Sequence, residues 1–102
     1  YSRSSNGGAS FSSWYNSSNG RFINPADYDN TTQFLYCGYT DKNLRRIGTI
    51  TSASPTGTTL TITSNSSLAV SAVKVDPNTT DSVWVAFSTA DDAPPIRCLN
   101  YT

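Results

Sequence analysis

Short runs of β-branched and aromatic residues alternate along the chain with clusters of Pro, Gly, Asn, Asp and Ser, and no window shows the three-and-four spacing of an amphipathic helix. Runs of this kind, bounded by turn-forming residues, are typical of short β-strands. Over residues 58–63, Thr alternates with Leu60 and Ile62, which predicts one polar and one apolar face. The pattern predicts an all-β fold with strands over residues 21–24, 33–39, 43–50, 58–63, 68–75, 82–87 and 96–101.

The most apolar of these strands predict the core. Their side chains remove the most apolar surface from water when the chain folds, so they are expected to lie inside. We expect the following residues to be mostly buried: Leu35, Cys37, Val73, Val75, Val83, Val85 and Phe87.

An internal repeat narrows the architecture. When residues 30–32 are set on residues 78–80, both Asn-Thr-Thr, Tyr36 falls on Trp84 in the strand that follows. Upstream, residues 22–23 fall roughly on 73–75; downstream, 44–47 resemble 96–99 at a slightly longer spacing. A period near 48 lies within the roughly 40–50 residues of one four-stranded propeller blade. The repeat predicts an antiparallel meander of about two β-propeller blades, with Tyr36 and Trp84 in blade packing, and a small β-sandwich is the alternative.

Composition bears on location and on partners. Seven basic and seven acidic residues leave no net charge, which argues against a nucleic-acid partner and against attraction to an anionic membrane. No apolar run approaches the roughly 20 residues that span a bilayer, so we expect no membrane insertion. Low charge with abundant Ser, Thr and Asn is common in secreted β proteins, and the sequence therefore predicts a secreted, extracellular or cell-surface protein.

The two cysteines allow two interpretations. An even count in a chain of secreted character makes Cys37 and Cys98 a candidate disulfide. Alternatively, Cys37 lies in a strand pattern, where a lone Cys behaves as a small hydrophobic residue. Two cysteines without histidine do not make a metal site, and we expect no metal and no cofactor.

The stretch SSNGGASF, residues 4–11, resembles the Asp-box (BNR) hairpin, whose pattern is Ser-x-Asp-x-Gly-x-Thr-Trp/Phe. Asn6 stands where the family has Asp, and the other motif positions are held by Ser4, Gly8, Ser10 (where Thr is preferred) and Phe11. The resemblance implies a structural role: Asn6 bonds its own backbone, Gly8 tolerates positive φ, and the Phe11 ring plugs the blade.

Residues 20–47 and 70–87 resemble secreted sortilin-like and BNR-type propellers of the kind common in Bacteroidetes. The resemblance implies that residues 1–19 end a preceding blade, that 20–66 form one blade and that 67–102 form most of the next. Because about two blades cannot close a propeller, we expect the partner to be the remainder of the same propeller or identical copies. Such relatives include sialidase-like and xyloglucanase-like glycosidases together with exported proteins of unknown role.

Candidate catalytic groups are few. Asp27 and Asp29 could form the carboxylate pair of a glycosidase, but a turn role, with backbone amides bound to the carboxylate, suits Asp29 and the corresponding Asp76 better. Arg45 and Arg46 are adjacent, so in a strand they point to opposite faces and do not form a substrate clamp. Without histidine there is no Ser–His or Cys–His nucleophile, and we expect no enzyme activity.

A binding role remains. Trp14 and Tyr15 adjoin polar loops and are the candidate contacts for a polysaccharide or for another surface protein. The leading hypothesis is a structural or binding segment of a secreted β-propeller. The alternatives are a scaffold part of a propeller glycosidase and a stand-alone β-sandwich adhesin or capsid-projection module.

Overall fold

The computed structural model describes residues 1–15, 24–39, 43–62, 69–88 and 97–101. Within these ranges the protein is all-β, with every strand pair antiparallel and no helix. A two-stranded hairpin comes first, β1 (Ser2–Arg3) and β2 (Ser12–Ser13). It is followed by a four-stranded sheet and a three-stranded sheet, each of which keeps its strands in chain order.

The four-stranded sheet has the order β3-β4-β5-β6, and the three-stranded sheet has the order β7-β8-β9. Each strand therefore pairs with the strand that precedes or follows it in the chain. The bounds in the first sheet are β3 (Ala26–Asp29), β4 (Phe34–Tyr39), β5 (Asn43–Gly48) and β6 (Thr56–Thr61). Those in the second are β7 (Ala69–Val75), β8 (Val83–Ser88) and β9 (Arg97–Tyr101).

Six of the seven predicted strands are confirmed, each to within two residues at either end. The seventh, over residues 21–24, falls mostly outside the described residues, and Asn24 itself is not in a strand. Residues 26–29 lie between the predicted strands, and a turn role was expected for Asp29, but they form β3. They do so because they pair with β4 across a short turn, Asp29 opposite Phe34 and Ala26 opposite Cys37, which outweighs the poor strand propensity of Asp.

One core lies between the two larger sheets. The four-stranded sheet contributes Tyr36 and Leu44, together with Ile62 directly after β6, and the three-stranded sheet contributes Val70, Val73, Val83, Val85 and Phe87. Burial is confirmed for five of the seven predicted core residues, whereas Leu35 and Val75 are half-buried. The prediction omitted Leu44 and Ile47, both fully buried, because the arginines between them mask the apolar pattern of β5.

The two sheets bury different faces of the repeated strand. Tyr36 faces the core from β4, whereas Val83 and Val85 face it from β8, where they flank Trp84. Since Tyr36 corresponds to Trp84, the face of β8 that carries Val85 corresponds to the face of β4 that carries Cys37, which points away from the shared core. The contact is therefore head-to-tail: the Tyr36 face of one sheet meets the Cys37-type face of the next.

The outward face of the four-stranded sheet is covered by the N-terminal segment. Arg45 of β5 donates a 2.7 Å hydrogen bond from Nε to the Tyr15 hydroxyl, and its guanidinium lies 4.8 Å from the centre of the Tyr39 ring. Arg46 lies on the opposite face, 4.5 Å from the centre of the Phe34 ring. The expectation that the two arginines point to opposite faces is confirmed.

Trp84 corrects one prediction. It was expected in blade packing like Tyr36, but it is 45% exposed, whereas Tyr36 is 2% exposed. The two exposures differ because Tyr36 faces the three-stranded sheet, whereas Trp84 lies on the side of that sheet that points away from the core. Its cross-strand neighbour Lys74 is exposed as well.

The repeat is also visible in the backbone. Gln33 and Asp81, which fall on each other when the two copies are aligned, both adopt the left-handed conformation, with φ of 58° and 59°. The turn before Asp81 is slightly longer than the turn before Gln33, because Tyr28 pairs with Leu35 whereas Val75 pairs with Val83. The strand β3 therefore corresponds to the end of β7, so residues 73–75 match residues 26–28 and not 22–23, which lie outside the described residues.

After the turns the spacing between the two copies grows. Leu35 pairs with Ile47 and Val83 pairs with Tyr101, so β5 corresponds to β9 with Ile47 set on Tyr101. The sequence comparison set Ile47 on Leu99 instead, which keeps the same face of the strand but slips the register to the next residue on that face. Similar residue types at neighbouring same-face positions account for the slip.

Candidate functional site

A groove of about 500 Å³ lies where the β3–β4 turn meets the β7–β8 turn. Residues 27–31 form one side, and residues 74–80 form the other. The two walls are corresponding parts of the repeat, so the groove lies between equivalent turns of adjacent sheets. Sequence reasoning found the repeated Asn-Thr-Thr of these turns but not the groove, because the groove exists only once the two sheets have stacked.

Asp27 joins the two sheets at the base of this groove. Its Oδ2 accepts a 2.8 Å hydrogen bond from the Val75 amide and lies 3.0 Å from Nζ of Lys74. Burial raises the pKa of Asp27, but the bonds from the Val75 amide and from Lys74 outweigh it, and the pKa lies below its usual value. The carboxylate is thus held ionised by groups of the neighbouring sheet.

Asp29 ends β3 and organises the turn that follows. Its Oδ1 accepts the amides of Thr31 and Thr32 at 2.8 and 3.2 Å, and its Oδ2 accepts the Thr32 hydroxyl at 2.6 Å. The bond from that hydroxyl is the largest influence on the pKa of Asp29; burial opposes it, the amides add to it, and the pKa lies below its usual value. Asp76, at the corresponding position, accepts the Asn78 amide at 2.9 Å.

Replacing Asp29 with Ala is expected to lower the free energy of unfolding by about 2 kcal/mol at pH 7, because three donors lose a buried charged acceptor. The depressed pKa makes this contribution present above the unfolded pKa of about 4 and lost as the pH falls through the lower folded value. The check is urea unfolding from pH 7 down to pH 2. Asp76→Ala, which removes the acceptor of a single turn amide, is the matched control and is expected to cost about 1 kcal/mol or less. Equal losses in the two variants would contradict this assignment.

The hairpin tip over residues 4–11 is held by a side-chain network. Ser4 Oγ accepts the Gly8 amide at 2.8 Å, and Asn6 Oδ1 accepts the Ser10 amide at 3.0 Å. Gly8 has a φ of 92°, which residues with a side chain rarely adopt. Phe11 departs from the expectation that it plugs a blade: it is 68% exposed, and the serines around it are exposed as well.

Trp14 and Tyr15, the candidate binding aromatics, are half-buried and make contacts within the chain. Trp14 Nε1 donates to the Ser52 carbonyl at 3.3 Å, and the Tyr15 hydroxyl accepts from Arg45. A side chain at Gly57 would collide with the Tyr15 hydroxyl and with Arg45, so the glycine allows the N-terminal segment to approach β6. The structure uses both rings to hold the N-terminal segment against the four-stranded sheet.

Cys37 is a free, buried thiol whose Sγ lies 3.5 Å from the Arg45 carbonyl oxygen, and burial raises its pKa. The structure therefore contains no Cys37–Cys98 disulfide. The physical reason is that Cys37 points away from the three-stranded sheet, which contains Cys98 in β9. The side chain of Cys98 itself lies outside the described residues.

The described residues contain no group of three or more His, Cys, Asp or Glu side chains that could hold a metal ion. In the same part of the chain, no helix has the length and apolar character needed to cross a membrane. Comparison with protein-family models, with curated proteins and with solved structures found no match for this chain.

Proposed function

We propose that this chain is a structural and binding segment of a secreted β-propeller, made of about two blade-like units and without catalytic activity of its own. The observation that carries the proposal is the head-to-tail stacking of the repeat. The Tyr36 face of one unit contacts the Val83 and Val85 face of the next, and the Cys37 face contacts what precedes it. Units that use one face for the previous neighbour and the other for the next can continue in one direction, as blades do around an axis.

Strand order supports the same architecture. Within each of the two larger sheets consecutive strands are neighbours, as in a blade, whereas the sandwich alternative favours connections that cross between sheets. Tyr15, which follows the N-terminal hairpin with its Asp-box-like tip, lies on the outward face of the four-stranded sheet, where the end of a preceding blade belongs. On this proposal residues 1–19, 20–66 and 67–102 belong to three successive blades.

The proposed role is binding because the carboxylates nearest the groove are already engaged. Asp27 is held by Lys74 and the Val75 amide, and Asp29 is held by its own turn, so neither is free to act as a general acid or as a nucleophile. The groove instead offers amide and hydroxyl groups from Asn30, Asn78 and the threonines beside them. Such groups suit a polysaccharide or another surface protein.

The purified chain is expected to release no product from common aryl glycosides or oligosaccharides. The measurement is reducing-sugar release over a day at micromolar chain concentration. Asp29→Asn is the diagnostic variant, because it keeps the shape of the side chain but removes its charge. Turnover by the wild type that disappears in this variant would overturn the non-enzymatic role and favour the glycosidase alternative.

The proposed stacking of blade-like units is tested by the mass of the species that the chain forms in solution. Trp84 is 45% exposed, and β9 has no second partner strand in the described part of the chain. Monomers rarely tolerate an exposed apolar patch beyond a few hundred Å². We therefore expect light scattering to report species larger than the 11.0 kDa monomer. A chain that stays an 11.0 kDa monomer and melts cooperatively would contradict the propeller proposal and favour the β-sandwich module.

Two lysine substitutions locate the cause of this association. Trp84→Lys is expected to shift the chain towards the monomer, because it charges the open face of the three-stranded sheet. Phe11→Lys removes a more exposed ring, 68% against 45%, that lies in the hairpin tip. It is expected to leave the association unchanged, and an equal effect of both variants would indicate nonspecific hydrophobic contact.

A further inference from the structure

The three-stranded sheet ends at β9, which has β8 on one side and no strand of the described part of the chain on the other. Its counterpart in the four-stranded sheet is β5, which lies between two partners. Every residue of β5 pairs with β6 on the side away from β4. The strands β3, β4 and β5 thus correspond to β7, β8 and β9, whereas β6 has no counterpart among the described residues.

The register makes the correspondence specific. Tyr36 pairs with Arg46, and Trp84 pairs with Asn100, at the same place in each hairpin. The outer side of β9 is therefore the counterpart of the side on which β5 holds β6. In that sheet Leu44 pairs with Leu60, and Leu60 packs against the core from β6.

We propose that the free edge of β9 is a docking site for an added antiparallel strand of the β6 type: an extended, uncharged segment in which Thr alternates with aliphatic residues. The inference rests on the repeat that underlies the proposed function, and it names the kind of partner that completes the second unit. Backbone hydrogen bonds to the edge supply the affinity, and the alternating side chains supply the register.

The sequence of β9 has few of the features that keep a strand edge from pairing with another strand. Proteins protect permanently open edges with charged residues, proline or bulges. Over Arg97–Tyr101 the sequence RCLNY has one charged residue, at its first position, and no proline. The register between β8 and β9 runs through all five pairs without a break, so no bulge turns the edge away.

A labelled peptide with the sequence of residues 56–62, TGTTLTI, tests the proposal directly. We expect saturable binding to the whole chain by fluorescence anisotropy. Hydrogen exchange is expected to show slower exchange of the β9 amides in the presence of the peptide, with the hairpin β1–β2 unchanged. The control peptide carries Pro for both Thr58 and Thr59. Adjacent amides of a strand point to opposite edges, so this pair removes a donor on the pairing side in either orientation.

The expected difference is at least tenfold weaker binding of the proline peptide. Equal binding of both peptides, absence of saturable binding, or protection located elsewhere would each overturn the proposal. Trp84→Lys separates it from the proposed function, because that variant changes the sheet face but leaves the edge intact. Peptide binding retained in Trp84→Lys supports the edge site. If the wild-type chain self-associates through the Trp84 face but does not bind the peptide, this inference is wrong and the proposed function is unaffected.

Discussion

Replacing Val85 with Asp is expected to lower the free energy of unfolding by about 4 kcal/mol or more. Val85 is fully buried at the centre of β8, opposite Val73 on one side and Leu99 on the other. A carboxylate there has no described partner, so it is buried as an unpaired charge or is protonated at a cost, with a loss of about 4 kcal/mol or more. Domains of this size have only about 5–15 kcal/mol of stability, so the change removes much of it.

The measurement is urea unfolding followed by far-ultraviolet circular dichroism, with the midpoint as the readout. Ala72→Asp introduces the same charge at an exposed position of β7, outside the core, and is expected to change stability by about 0.5 kcal/mol or less. If Val85→Asp melts like the wild type, the core assigned between the two sheets is wrong.

A second pair of substitutions is expected to give opposite results at two corresponding positions. Tyr36 is 2% exposed, packs in the shared core, and lies edge-on to Phe34 with ring centres 6.3 Å apart. Tyr36→Ala leaves a cavity and is expected to cost about 3–4 kcal/mol. Trp84→Ala removes a larger side chain but exposes no core, and is expected to cost about 0.5 kcal/mol in dilute solution.

Tyr36→Phe keeps the ring and controls for loss of the hydroxyl, so we expect its cost to stay below about 1.5 kcal/mol. The comparison uses urea midpoints at a concentration low enough to suppress association. Equal costs for Tyr36→Ala and Trp84→Ala would mean that both rings are in packed surroundings, and the head-to-tail arrangement would then be wrong.

Local pattern was sufficient for most of the strands, because β-branched and aromatic runs between turn residues are informative over a few positions. It failed at β3, whose sequence ADYD contains two residues that disfavour strands. That segment is extended because it pairs with β4 and because the Asp27 carboxylate accepts a hydrogen bond from the Val75 amide, which is remote in the sequence. Neither partner can be read from the segment itself.

Burial on the repeated strand was predictable only in part for a similar reason. The repeat assigns Tyr36 and Trp84 to equivalent positions, but exposure depends on what lies beyond each sheet. The groove is a further example, since one wall comes from the first copy of the repeat and the other wall from the second. The turn role of Asn6, by contrast, depends on close neighbours in the chain, as its bond to the Ser10 amide shows.

The consecutive order of the strands has a consequence for how the chain folds. Each strand of the two larger sheets meets its partner within one short connection, so little chain must be searched before a hairpin closes. The four-stranded sheet can therefore form while the later residues are still being synthesised, and it then offers its Tyr36 face as a template for the next hairpin. A mutation that weakens the Tyr36 face should slow the formation of the second sheet more than that of the first.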